Sequence, residues 1–172
     1  MDLNYSGLKK YDIANGDGVR ISLFVSGCEN HCPGCFNPDT WDPAYGKKFS
    51  GKTLQEILDF LSKPYAAGLS LLGGDPFMHV NQECVLDIVK TVKEAYPDKD
   101  IWVWTGYTLE ELQDSSKSCH TPYTQEILKH IDVLVDGRFV QSLKMPGLKY
   151  KGSSNQRVIL LKDGVPAGRL DE

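Results

Sequence analysis

The sequence has no run of about 20 consecutive apolar residues, the length a bilayer-spanning helix needs, so no membrane partner is expected. Its first ten residues, Met1 to Lys10, have no apolar core, which argues against a signal peptide there. There is no basic excess: 19 Lys and Arg stand against 23 Asp and Glu, a net charge of -4. Nucleic-acid binding wants a basic face, so no nucleic-acid partner is expected, although a local basic patch is compatible with this balance. Histidine is scarce, and His79, His120 and His130 are scattered in a way that suits surface or turn positions. No Ser-His-Asp arrangement, phosphate-binding loop, internal repeat or low-complexity tract is present. The 172 residues suit one domain, 1–172, and the 41% hydrophobic content is enough to bury a core.

Cysteine is also scarce, and its distribution is informative. The count of five is odd, and Cys28, Cys32 and Cys35 fall within eight residues. A secreted disulfide framework would spread an even number along the chain. The clustering fits thiolate metal ligands in a reducing compartment, hence a cytoplasmic protein. Cys84 lies on the apolar face of an expected helix and reads as core. Cys119 sits in a polar stretch and is assigned no role.

Periodicity supplies an alternation of strands and helices. Arg20–Ser26, Gly68–Leu72, Ile101–Trp104, Ile131–Val135 and Arg157–Leu161 read as strands, with a further one at Leu8–Ile13. Leu54, Ile57, Leu58 and Leu61 fall at helical spacing, with a start signal at Lys52-Thr53. Val80, Cys84, Ile88, Val89 and Val92 do the same before Pro97. Shorter helical pieces carry Leu109 and Leu112, then Ile127 and Leu128. Such alternation predicts an α/β fold with a mainly parallel sheet. A closed eight-stranded barrel takes about 250 residues. The shorter chain is expected to form a partial, open TIM-like barrel of about five or six mainly parallel strands with flanking helices. Trp102 and Trp104 share one face of a strand and are expected to fill a core.

Polar, glycine-rich segments follow the strands at Gly27–Asn37, Gly73–Pro76, Thr105–Tyr107 and Asp136–Phe139. Ligands in parallel α/β sheets bind at the carboxyl ends of strands, so these four segments are expected to share one site. The spacing C-x3-C-x2-C from Cys28 to Cys35 is short enough to wrap a compact metal group. An iron–sulfur cluster normally takes four cysteine thiolates; three would leave one iron of a four-iron cluster open to another ligand. A zinc knuckle using His31 or a distant residue as fourth ligand is the alternative.

C-x3-C-x2-C after a strand resembles the radical S-adenosylmethionine enzymes. Asn15-Gly-Asp-Gly-Val-Arg20, Phe24-Val-Ser-Gly-Cys28, Cys35-Phe-Asn-Pro38 and Trp41 together resemble their glycyl-radical-enzyme activases. Cys32-Pro-Gly-Cys35, Trp104-Thr-Gly-Tyr107 and Asp136-Gly-Arg-Phe139 narrow the likeness to the activases of anaerobic ribonucleoside-triphosphate reductase, from about Ile13 to Leu161. The position before the third cysteine, commonly aromatic in the wider group, is Gly34 here, and Phe36 follows the cysteine instead.

The resemblance implies a [4Fe-4S] cluster on Cys28, Cys32 and Cys35, with S-adenosyl-L-methionine as second cofactor. It implies an oxidoreductase whose substrate is the large subunit of the anaerobic reductase, served by an electron donor such as flavodoxin or ferredoxin. Pyruvate formate-lyase activases are the enzymatic alternative, but inserted ferredoxin-like cysteine repeats, found in some activases, are absent. Gly73-Gly74-Asp75-Pro76 looks like the motif that holds the methionyl amino group; read without the resemblance, it is a strand-to-helix turn. Gly34, Cys35, Phe36, Asn37 and Thr105 are further cofactor candidates. Asp136 would bind ribose hydroxyls or a cation, or cap local amides. Arg20 would offset cluster charge, Arg138 reads as solvated, and Gly152–Asn155 could add backbone contacts.

Overall fold

The computed structural model describes residues 2–172. In chain order it contains β1 (Asn4–Asp12), β2 (Val19–Val25), a two-residue strand β3 (Lys47–Lys48), α1 (Gly51–Leu61) and β4 (Ala66–Gly73). There follow α2 (Gln82–Ala95), β5 (Asp100–Trp104), α3 (Leu109–Leu112), α4 (Thr124–His130), β6 (Val133–Asp136), β7 (Arg157–Lys162) and β8 (Val165–Arg169). Among the described residues no helix is long and apolar enough to cross a membrane.

All eight strands form one mixed sheet in the order β3-β1-β2-β4-β5-β6-β7-β8. The four central strands, β2, β4, β5 and β6, are parallel neighbours. Helices connect them, as parallel pairing requires. The outer strands on both sides are antiparallel. The parallel part is therefore smaller than the expected five or six strands, and the sheet as a whole is larger. The added members are edge strands: β8 contains Pro166 and Gly168 and is almost wholly exposed, so it carries no hydrophobic signal.

Period-two alternation divides the central strands between two environments. Ile21, Leu23, Leu69, Leu71, Ile101 and Val103 face the helices and join the main core. Arg20, Ser70, Trp102 and Trp104 alternate with them on the other face, where Trp102, Val133, Val135 and Val158 make a second cluster with Trp104, Tyr150 and Leu160. In α1 the buried positions Thr53, Ile57, Phe60 and Leu61 make one helical stripe. Ser50 caps this helix by accepting from the Thr53 amide, so it begins just before the Lys52-Thr53 signal. Val80 falls outside α2 and is exposed, because the helix starts at Gln82 after a short turn at His79–Asn81.

Arg20 does not stand beside the cysteine loop. It enters β2 at the amino end, whereas the loop leaves the carboxyl end. Its side chain is fully buried and pairs with Asp100 at 2.6 Å. It also donates to Ser70 Oγ at 2.7 Å and to the Leu69 and Asp17 carbonyls, and lies 5.5 Å from the centre of the Trp102 ring. A buried guanidinium needs this many partners to offset its desolvation. Its role here is structural.

Candidate functional site

At the carboxyl ends of the parallel strands lies a cavity of about 520 Å³, a size typical of small-molecule sites. Cys28, Cys32 and Cys35 line it together with Phe36, Asn37, Gly73, Gly74, Asp75 and Thr105. Segments distant in sequence, among them those after β2, β4 and β5, thus meet around one space. Two candidates, Gly34 and Asp136, are not among the lining residues. Gly34 turns the loop between the second and third cysteines with φ +76°, and a Cβ there would lie 2.7 Å from the Gln141 side chain.

The cysteine loop is held by backbone bonds at both ends. Gly27 N–H donates to the Thr40 carbonyl at 2.6 Å and Cys28 N–H to that of Trp41 at 3.2 Å. Within the loop, Cys35 N–H donates to Cys32 O at 3.0 Å. Two donors already face sulfur: Asn37 N–H lies 3.4 Å from Cys35 Sγ, and Asn30 Nδ2 lies 3.6 Å from Cys28 Sγ. All three thiols are free and partly accessible. Burial, reinforced by the nearby Asp75 carboxylate, pushes the Cys28 thiol up to about 11. The protein alone therefore does not favour its thiolate; a metal centre would supply the missing positive charge. Three accessible sulfurs on one cavity wall, with N–H groups directed at two of them, fit an iron–sulfur group. Among the described residues no three His, Cys, Asp or Glu groups are gathered closely enough to hold a single metal ion. His31, the local candidate for a zinc ligand, is stacked on Trp41 with centroids 4.4 Å apart and does not line the cavity.

Gly73 and Gly74 are required by protein backbone. Gly73 has φ +109°, and an added Cβ would lie 2.7 Å from the backbone of Phe24 and Val25. At Gly74 a Cβ would lie 2.7 Å from the Gly27 carbonyl oxygen and 2.9 Å from that of Thr40. The turn after β4 is packed directly against the start of the cysteine loop. Asp75 follows, with 1% exposure. Desolvation raises its carboxyl to about 6, and the hydrogen bonds it accepts from Gly106, Phe77, Thr105 and Asn30 restrain that rise. Thr105 is committed to this contact, donating to Asp75 Oδ1 at 2.8 Å.

Asp136 is engaged away from the cavity. It accepts from the Leu109 amide at 2.8 Å, at the start of α3, and its two oxygens meet Arg157 at 3.0 and 2.5 Å. Arg157 also reaches Glu110. Asp136 thus joins β6, β7 and α3, the local-capping alternative extended by an ion pair. Arg138 pairs with Glu111 at 3.0 Å and lies over Tyr107. Phe36 is 71% exposed at the cavity and meets Phe139 with ring centroids 5.1 Å apart. Gly152 also lines the cavity. Cys84 and Cys119 are both buried in the main core, so Cys119 belongs to packing despite its polar neighbours.

Sequence reasoning missed Asn30, Trp104, Phe139, Tyr150, Lys151 and Gln156 as cavity residues. Asn30 lies within the cysteine loop and Phe139 within the Asp136–Phe139 segment, so position was their signal. Tyr150 had none: it reaches the cavity because its carbonyl accepts from Trp104 Nε1 at 2.6 Å and its ring packs edge-on against Trp102.

The family profile of the 4Fe-4S single cluster domain matches residues 14–159. An anaerobic ribonucleoside-triphosphate reductase-activating protein of Vibrio cholerae is 45% identical over 156 residues, covering 90% of this chain and 96% of the relative. The chain belongs to this family of activating proteins. The protein of the same name from Enterobacteria phage T4 is 40% identical, over 95% of this chain and 97% of its own. That of Escherichia coli K12 is 42% identical, over 91% and 97%. The matched 4Fe-4S domain spans the cysteine loop and the strands around the cavity.

Proposed function

We propose that this protein activates the large subunit of anaerobic ribonucleoside-triphosphate reductase by radical chemistry on S-adenosylmethionine. The observation that carries this reading is the meeting of Cys28, Cys32 and Cys35 with Gly73-Gly74 and Thr105-Gly106 around one cavity. The three thiols would hold a [4Fe-4S] cluster. When bound and reduced by an external donor, such a cluster would supply the one-electron reduction of S-adenosylmethionine that leads to removal of the α-hydrogen of a glycine in the reductase.

The chain's own part is to position and exclude. Asn37 N–H and the Asn30 amide already face cysteine sulfurs, where they stabilise added negative charge. The backbone around Gly73, Gly74 and Gly106 leaves room for the methionyl end, and Phe36 offers an accessible ring near the cavity mouth. No proton transfer is needed for hydrogen-atom abstraction, in keeping with a cavity that no histidine lines. The sheet is read as a partial barrel, open at the side so that a protein segment can reach the radical. The cytoplasm is the compartment that suits reduced thiols and a flavodoxin or ferredoxin donor.

The test is anaerobic reconstitution of the wild type and of five cysteine-to-alanine variants, followed by iron and sulfide analysis and an assay for 5'-deoxyadenosine. About four irons per chain and reductant-dependent 5'-deoxyadenosine are expected. Cys28→Ala, Cys32→Ala and Cys35→Ala should lose both, whereas Cys84→Ala and Cys119→Ala should keep their iron. Zinc without sulfide, or full iron in any loop variant, would contradict the assignment.

A further inference from the structure

Asp75 has the surroundings of a structural hub. Its carboxylate offers about four acceptor sites, and four donors occupy them. Phe77 N–H donates to Oδ1 at 2.9 Å, and the Thr105 hydroxyl donates to Oδ1 at 2.8 Å. Gly106 N–H and Asn30 Nδ2 each donate to Oδ2 at 2.9 Å. These donors come from three places: the turn after β4, the end of β5, and the cysteine loop. The same amide nitrogen of Asn30 faces Cys28 Sγ at 3.6 Å. The contact is close-packed as well as polar, since a Cβ on Gly106 would lie 2.4 Å from Asn30 Nδ2. Asn81 Nδ2 secures the turn from behind, donating to the Ser26 and Asp75 carbonyls at 2.9 and 3.0 Å. A carboxylate so buried and so fully satisfied has no acceptor position left for the ammonium group of a bound amino acid.

We propose that Asp75 is a positioning residue, which locks the cysteine loop to the end of β5 through Asn30, Thr105 and Gly106 and does not itself contact the amino group of S-adenosylmethionine. The proposal rests on the function proposed above and changes one part of it: the methionyl end meets backbone that Asp75 holds in place. Asn30 is then as important as Asp75, though it could touch no ammonium group favourably through its donor.

The experiment compares Asp75→Asn, Asn30→Ala and the double variant as reconstituted, reducible protein. Three quantities are read: S-adenosylmethionine affinity by calorimetry, the midpoint potential of the cofactor-free cluster by electron paramagnetic resonance, and amide exchange at Gly106. Both single variants should weaken the affinity at least fivefold, with the double variant within twofold of the weaker single. The potential should rise in Asp75→Asn, which loses a negative charge, and fall in Asn30→Ala, which loses an N–H facing Cys28. A general loosening of the fold would not produce these opposite signs. Gly106 exchange should accelerate in both. The proposal is overturned if Asn30→Ala binds S-adenosylmethionine as the wild type does while Asp75→Asn loses affinity at an unchanged potential. Should Asn30→Ala fail to fold, Asn30→Asp is read in its place; it sets a like charge against Asp75 and must also weaken binding. If wild-type protein binds no S-adenosylmethionine, the proposed function fails. The lock is then decided by Gly106 exchange: acceleration in both variants supports it, and wild-type exchange in both refutes it.

Discussion

Substituting Gly74 by alanine should damage the protein before it damages ligand binding. The Cβ would sit 2.7 Å from Gly27 O, 2.9 Å from Thr40 O and 3.0 Å from Gly27 N, where ordinary contact begins at 3.4 Å. All three neighbours are backbone and cannot swing aside. They are also tied together: Gly74 N–H donates to Val25 O and Asp75 N–H to Gly27 O, both at 2.7 Å, and Gly27 N–H to Thr40 O at 2.6 Å. Relieving the overlap stretches these bonds. Overpacking costs about 1–3 kcal/mol and each weakened hydrogen bond up to about 1 kcal/mol, for a total of about 3 kcal/mol. In a chain of this size that lowers the melting temperature by about 6–12 °C. Thermal unfolding of the metal-free variant, followed by circular dichroism, gives the shift, and iron analysis after reconstitution should show reduced loading because the cysteine loop has moved. If the variant melts as the wild type does, loads its iron fully and loses only S-adenosylmethionine binding, the glycine is there for the ligand and the packing argument is wrong.

The same turn gives a pH signature. The folded pKa of Asp75, about 6, lies above its ordinary value of 3.8, so the stability it contributes is full below that value and is lost as pH rises through 6. Denaturant titrations of metal-free protein should show wild type losing about 2 kcal/mol relative to Asp75→Asn between pH 4 and pH 7; parallel pH profiles would exclude a raised pKa. Asp136→Asn should keep its affinity for S-adenosylmethionine within about twofold, yet lose about 2 kcal/mol of stability through the weakened Arg157 pair and α3 contact. A large affinity loss with unchanged stability would return Asp136 to the cavity.

The parts of this fold that were legible in the sequence are those buried on both faces. The five expected strands from Arg20 to Leu161 match β2, β4, β5, β6 and β7 to within about two residues, because each carries a mostly apolar run whose positions are largely buried. The edges were less legible. β1 was placed at Leu8–Ile13 but spans Asn4–Asp12, where mixed burial hides the alternation. β3 and β8 are exposed and left no apolar trace. In the site, the cysteine spacing and the glycine pairs could be read as local patterns. What could not be read was who satisfies whom. Asn30 and Asp75 are 45 residues apart, and Asp75 and Thr105 are 30 apart. A carboxylate after two glycines looks the same in sequence whether it accepts from a ligand or from its own fold. For Asp136 the same ambiguity lay between ribose contact and capping, and its partners, the Leu109 amide and Arg157 across β6 and β7, are likewise distant in sequence. Arg20 misled for a related reason: nearness in sequence to Cys28 is distance in space when a strand separates them.

The central claim is that this chain makes a glycyl radical on an anaerobic ribonucleotide reductase. The direct measurement is electron paramagnetic resonance of the reconstituted protein mixed anaerobically with the reductase large subunit, S-adenosylmethionine and a reductant. A stable doublet is expected, and it should be missing when the target glycine of the reductase is alanine or when Cys32 of this protein is alanine. Cleavage of S-adenosylmethionine with no radical on the reductase, or a doublet that survives either substitution, would contradict the account.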